Sequence, residues 1–444
     1  MMNFEQFKDA ALEAALELGC TAAEVYFVEG EDFEVNALNG QLDRYTVSRE
    51  NGLNLRVQYD GKNGYAYTEA LDDARALAMK AVDNAMSIEA SDEHPMQGKC
   101  EYRPIAKGES VVLDYTEEQK IDLAFELERA AKAADSRVDR VEHCLIATST
   151  RRTHIHNTLG LAAQSSSRVA YSGIVPIVKE GDEVKDGTGF RYGAKTHEIY
   201  DLANEAVQEA IGKLGASPAP AGVYRVILRN DAAASLLEAF SPMFSADAAQ
   251  KGLSLLNGKE GTRIGSELVT LMDDPFYGEF QRAFDAEGVP SETTAVVDKG
   301  VLKTLLHNLK TAKKAGVQST SNAGRYSVES PVGVEPSNFY IVPGEYGFDS
   351  LVSELGDGLV VTELSGLHSG VNTISGDFSL LASGYLVEGG KRSRPVERIT
   401  IGGSFLELLN NVAAVGRDLK FGLPDKSNYG SPSLLISRAV IAGE

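Results

Sequence analysis

The 444-residue chain has no tryptophan, three cysteines and seven histidines, and its 43 lysines and arginines are outnumbered by 64 aspartates and glutamates. Each shortage excludes something. A formal net charge of −21 opposes a grip on phosphate, which needs a basic face, so no direct nucleic-acid partner is expected. It also opposes adhesion to anionic membrane. No apolar run approaches the roughly 18–20 residues of a membrane span. The N-terminus, MMNFEQFKDAALEAALELG, is acidic and amphipathic, so no signal peptide is expected. Cys20, Cys100 and Cys144 are scattered and odd in number, which points to the cytoplasm and to no disulfide frame.

What is present divides into an α+β pattern: two small sheet-plus-two-helix units, then a large β-rich domain, barrel- or sandwich-like. In 1–88, Phe4, Phe7, Ala11, Leu12, Ala15 and Leu16 mark one helical face. Alternating stretches at 24–28, 33–38, 42–47 and 53–59 follow, then a turn at 60–64, a strand at 65–67 and a helix over 74–86. Residues 89–112 have the composition of a linker. In 113–216, Thr116 and Gln119 form a capping-box pattern opening a helix to about 134. Strands at 138–150, 153–157 and 161–178 come next, and Thr196 is placed to cap a helix over 197–214. The segment 217–222 (SPAPAG) is a stiff Pro-rich connector. Beyond it, 223–444 is Gly-rich and strand-like, with helices expected at 232–240 and 404–415.

The chemical motifs mostly fail. His197-Glu198 begins like a zinc helix, but no second histidine follows one turn later. His154 and His156 share a strand face. They invite weak metal binding if His143 or Cys144 lies across a hairpin, but the neighbouring Arg151 and Arg152 favour a solvated basic strand. Residues 252–259 resemble a phosphate loop one residue too long, with Glu260 where a hydroxyl should stand. Asp273, Asp274, Asp285 and Glu287 could hold a hard cation or act as acid and base; turn chemistry around Pro275 and Gly288 is the favoured alternative. Lys310, Lys313 and Lys314, near His307 and Arg325, form either a basic patch able to accept a carboxylate or another acidic surface, or equally a solvated helix face, beside the polar loop 319–325.

That loop carries a resemblance. HNLKTAKKAGVQSTSNAGR (307–325) resembles the TldD/PmbA, or modulator-of-DNA-gyrase, family, as do segments 272–291, 370–391, 395–419 and 431–443, in order. The resemblance implies a three-part layout and a metallopeptidase complex acting in proteolysis and maturation of extended peptides. Its TldD-like members carry His-Glu-x-x-x-His and a later Cys for zinc; its PmbA/TldE-like members lack them. The matching positions here are Glu238, Ala239 and Met243, and Pro242 should end or kink the helix. Residues 223–444 contain no cysteine, and their only histidines are His307 and His368.

The expectation is therefore a metal-free PmbA/TldE-like subunit, with no catalytic or metal residues of its own. Zinc is expected in a TldD-like partner, with a homodimer as the other assembly. His307, Asn322, Arg325, His368 and Asp377 are expected to touch substrate. Two rival readings stay open: a stand-alone peptide-binding or regulatory homodimer, and a carboxylate-dependent hydrolase.

Overall fold

The computed structural model describes residues 2–89, 94–106, 110–193, 195 and 198–443. Helix α1 (Phe4–Glu17) opens with a capping box between Asn3 and Gln6 and buries Phe7, Ala11, Ala14 and Ala15. Strands β1 (Ala22–Leu38), β2 (Gln41–Tyr59) and β3 (Lys62–Thr68) form a meander. Its two-residue turns, Asn39-Gly40 and Asp60-Gly61, have positive φ throughout, as the hairpin twist requires. Helix α2 (Ala74–Met86), capped by Asp73, closes the unit. A core of Phe7, Leu53, Leu55, Val57 and Ala81 fills the space between helices and strands. Burying each of its large side chains contributes about 1.5–3 kcal/mol.

The next segment repeats the theme. Helix α3 (Glu117–Ala134) carries the Thr116–Gln119 capping box. Long strands β4 (Val138–Asn157) and β5 (Ala162–Glu180) are followed by short strands β6 (Glu183–Asp186) and β7 (Gly189–Tyr192) and helix α4 (Glu198–Gly212). The expected Thr196 cap and the His197 helix start lie outside the described residues. Strand β1 pairs antiparallel with β4 from Glu24↔Asn157 to Asn36↔Leu145. The result is one sheet in the order β3-β2-β1-β4-β5-β6, with β7 on β5.

Several of the expected strands are joined. The stretches 24–28 and 33–38 are one strand, as are 42–47 and 53–59, and 138–150 and 153–157. The apolar alternation lapses because residues 41–50 of β2 are almost all exposed, yet their backbone ladder to β1 continues.

In the C-terminal part, β8 (Gly222–Leu228) pairs parallel with strand Gly358–Ser365 and antiparallel with strand Leu434–Ala442. Strands Asp377–Glu388 and Lys391–Ser404 continue the sheet, and Thr400↔Ala442 pairing closes it into a five-stranded barrel. Phe240 stacks on Phe405 in its core with ring centroids 4.4 Å apart. The helix expected over 404–415 is shorter. It ends at Asn410, and Val412–Val415 is a strand pairing with Leu434–Ala442, where β-branched residues are better accommodated. A second six-stranded sheet and the hairpin of Ala323–Arg325 with Val332–Val334 carry the polar loops.

Candidate functional site

Helix α5 (Asn230–Phe240) follows β8 and stops where Pro242 forbids its continuation. Ser241–Phe244 forms a 3₁₀ turn instead. The three positions aligned by resemblance with the zinc helix diverge. Glu238 is exposed, Ala239 is half-buried, and Met243 is fully buried in the barrel core. Partial desolvation and the Asp425 charge hold the Glu238 carboxyl above its ordinary value. Among the described residues, no three His, Cys, Asp or Glu side chains gather as metal ligands.

The polar loops form a buried knot. Asn322, fully buried, donates from Nδ2 to Asp273 Oδ2 at 2.8 Å and to the Glu335 carbonyl at 3.1 Å. Its Oδ1 accepts from Thr320 Oγ1 at 2.7 Å, and its amide donates to the His307 carbonyl at 3.2 Å. Asp273 also accepts from the Ser337 amide and hydroxyl. Asp285 Oδ1 accepts from the amides of Glu287 and Val289, and Oδ2 accepts from Ala323 N at 3.0 Å. Of the Asp285 bonds, the first two are turn chemistry, and the third pins strand Ala323–Arg325 to the 285–289 loop.

Glu287 joins this knot to the N-terminal sheet. Its carboxylate accepts from Leu309 N at 2.9 Å, contacts His94 Nε2, and lies 3.6 Å from Arg56 Nη1. Arg56 Nε in turn lies 3.8 Å from Glu24, whose other oxygen accepts from Asn157 Nδ2. Burial and the Glu287 charge push the Asp285 carboxyl up to about 7. Burial also opposes ionisation of Glu287. The hydrogen bond and charge of His94, with the Arg56 charge, outweigh it and hold the carboxyl below the ordinary range.

Beside the knot lies a cavity of about 440 Å³. Tyr26, Arg151 and Arg168 wall it from the sheet; Arg282, Arg325 and Glu335 wall it from the C-terminal part. The structure thus brings His307, Asn322 and Arg325 into one knot, with Arg325 on the cavity wall. His368 sits exposed in a turn and Asp377 exposed at the start of its strand, and neither lines the cavity.

Three expectations fail on geometry. His307 and Arg325 are buried, whereas Lys313 and Lys314 are exposed at the end of helix Leu309–Ala315, so these residues do not form one basic patch and the two lysines fit the solvated helix face instead. His143 and Cys144 lie on the same strand as His154, at roughly 3.3 Å per residue, and Cys144 is buried with its Sγ against the Ala124 carbonyl. They cannot complete a site with His154 and His156. Those two rings are not a solvated strand either. They pack around Phe4 of α1 with centroids 4.8 and 6.1 Å away, and burial lowers both pKa values.

Sequence reasoning missed Glu24, Tyr26, Arg56, His94 and Arg282. Residues 53–57 (LNLRV) alternate apolar and polar, so Arg56 reads there as an ordinary outward-facing charge and gives no signal that it is buried.

Fold and site together define an α+β protein whose C-terminal part and N-terminal sheet enclose a charged cavity. The domain described as PmbA/TldA metallopeptidase domain 1 matches residues 23–88, the PmbA/TldA metallopeptidase central domain matches 111–214, and the PmbA/TldA metallopeptidase C-terminal domain matches 221–443. A crystal structure from Thermotoga maritima, of a protein named as a candidate modulator of a DNA gyrase, is 34% identical with a TM-score of 0.91, covering 99% of this chain and 100% of that one. TldE from Thermococcus kodakarensis shares the fold at a TM-score of 0.90 and 20% identity, with 98% and 100% covered. Metalloprotease PmbA of Escherichia coli O157:H7 is 25% identical over 451 residues, 98% of this chain and 96% of that protein. The chain belongs to the TldD/PmbA metallopeptidase family. No helix among the described residues is long and apolar enough to cross a membrane.

Proposed function

We propose that this chain is a PmbA/TldE-like subunit that holds no zinc and works with a TldD-like zinc subunit in the cytoplasm, in proteolysis and maturation of extended peptides. One observation carries the reading. The positions aligned with the family's zinc helix are Glu238, Ala239 and Met243, and the third is folded into the barrel core. Residues 223–444 also offer no cysteine thiolate. Such a subunit shapes the chamber and holds substrate, since extended peptides gain affinity by adding to strand edges. A link to gyrase would run through a processed peptide, because a charge of −21 opposes DNA binding.

A carboxylate-dependent hydrolase finds less support. Both Asp285 oxygens accept backbone amides, and Glu287 is engaged by His94, Arg56 and Leu309. The test is zinc content and hydrolysis of an unstructured peptide by the purified chain, alone and mixed with a family member carrying His-Glu-x-x-x-His. Little zinc and no turnover alone, with faster turnover in the mixture than by the partner alone, is expected. Stoichiometric zinc with robust hydrolysis by this chain alone would overturn the reading. A self-associated chain indifferent to the zinc subunit would favour the homodimer.

A further inference from the structure

We propose that the free edge of strand β2 pairs antiparallel with the same edge of a second copy of this chain, joining two N-terminal sheets about a two-fold axis. Strand β2 is covered unevenly. On one side it pairs with β1 from Gln41 to Gln58. On the other, β3 reaches only from Tyr59 back to Leu53. Among the described residues, nothing pairs with the rest of that edge. The Gln58 carbonyl accepts from Thr21 N on the β1 side at 2.8 Å, and Tyr59 pairs with Lys62 on the β3 side across the turn Asp60-Gly61. Strand alternation from these two residues turns the N–H and C=O of Tyr45, Val47, Arg49 and Asn51 outward, because the register with β1 does not shift between Gln58 and Arg44.

The free edge has two ends. The register slips between Asn36 and Ala37, which leaves Asp43 as the extra residue of a bulge. At the other end, Thr68 takes the edge opposite Leu53. The regular free stretch is 44–51, and all of it but Thr46 is exposed.

Read backwards, this stretch is complementary to itself. Pairing about Val47 sets Arg44 opposite Glu50, Tyr45 opposite Arg49 and Thr46 opposite Ser48, each twice, with Val47 against its own copy. Opposite charges, a guanidinium beside an aromatic ring and paired hydroxyls are favourable cross-strand neighbours. Contacts within the chain already hold these side chains in place. Arg44 lies 3.5 Å from Glu34, and Glu50 accepts from Arg151 at 2.9 Å. Tyr45 meets Phe33 edge-on at 5.6 Å, and Arg49 donates to Glu31 at 2.8 Å. Lysine and proline, the usual guards of a bare edge, are absent from 41–51. The charges there fit a second copy instead of repelling it. None of these residues lines the cavity, so the edge and the cavity are separate features. A ladder over 44–50 is smaller than the roughly 800 Å² per partner of a standard interface, so the dimer is reversible and concentration-dependent. The inference goes beyond the function proposed above and does not depend on a zinc subunit.

Sedimentation velocity of the full chain alone, over a concentration series at low salt, reads the pairing. Wild type should pass from monomer to dimer as concentration rises. Arg44→Glu brings acids face to face at both ends of the ladder, and Glu50→Arg does the same with bases. Each alone should weaken the dimer about tenfold or more. Mixing the two variants should restore it, because every 44–50 pair across the mixed dimer is again of opposite charge. Val47→Cys should crosslink to its own copy on oxidation, since directly opposed residues lie within disulfide range; Thr46→Cys, opposite Ser48, should not. A monomer at every concentration, or a dimer indifferent to both reversals, would overturn the proposal. Crosslinking of Thr46→Cys in preference to Val47→Cys would overturn the register. A monomer whose Val47→Cys variant instead traps an unstructured peptide bearing a cysteine would overturn the second copy as the occupant of the edge.

Discussion

Arg56 Nη1 lies 3.6 Å from Glu287 Oε1, and both side chains are 1% exposed. This pair ties strand β2 to the 285–289 loop across the junction between the N-terminal sheet and the C-terminal part. Removing one partner of a buried pair costs about 3–5 kcal/mol because the other charge is stranded. Glu287→Gln should therefore lower stability by about that amount in denaturant unfolding. A loss below about 1 kcal/mol, the value of an exposed pair, would contradict the burial described.

The two carboxyls of the loop should respond to pH in opposite senses. Asp285 is raised to about 7 by burial and the Glu287 charge. Its contribution to stability is full below its unfolded value of roughly 4 and is lost as pH rises through about 7. Glu287 is lowered, so its contribution is present above roughly 4 and is lost as pH falls. Thermal midpoints of wild type should thus decline relative to Asp285→Asn between about pH 4 and 7. Parallel curves for the two proteins would refute the raised value.

Two positions aligned with the family's zinc helix should behave differently when truncated. Met243 is fully buried with its terminal methyl against Gly376, and Met243→Ala should cost about 2–5 kcal/mol. Glu238 is exposed, and Glu238→Ala should stay within about 0.5 kcal/mol of wild type. Equal effects in thermal unfolding would mean that the turn at Pro242 does not separate the two positions.

The barrel contains a close approach at Gly384. A Cβ there would lie 1.9 Å from the Val360 carbonyl oxygen, beside a register shift between Ala382 and Gly384. That neighbour is backbone and cannot rotate away. Gly384→Ala should cost at least the roughly 1–3 kcal/mol of overpacking, read as a lowered melting temperature with loss of soluble yield. An unchanged midpoint would show that the two strands separate more easily than their pairing implies.

Much of the architecture was legible in the sequence. Helices α1, α2 and α3 announced themselves through capping residues and apolar spacing, and Pro242 marked the end of α5. Strand continuity was not legible, because 41–50 keeps its ladder without burying a face. The site was legible only in part. The loop 319–325 stood out as polar, but Arg56 and His94, which reach the knot through Glu287, lie far from that residue in sequence, His94 by 193 residues. No local spacing encodes a bond that the fold alone makes. The lysines beside His307 suggested a patch for the same reason: sequence proximity carries no information about which side of a short helix a buried imidazole lies on.

The antiparallel seam between β1 and β4 has a further consequence. Each N-terminal unit offers its first strand to the other in antiparallel register, the relation that two identical subunits adopt about a two-fold axis. The chain carries within one polypeptide a contact that other proteins make by dimerising. Neither half is a self-sufficient module. Cut apart, each would bare a first strand of 17 or 20 residues, an open edge that recruits foreign strands, so the pair must travel as one piece.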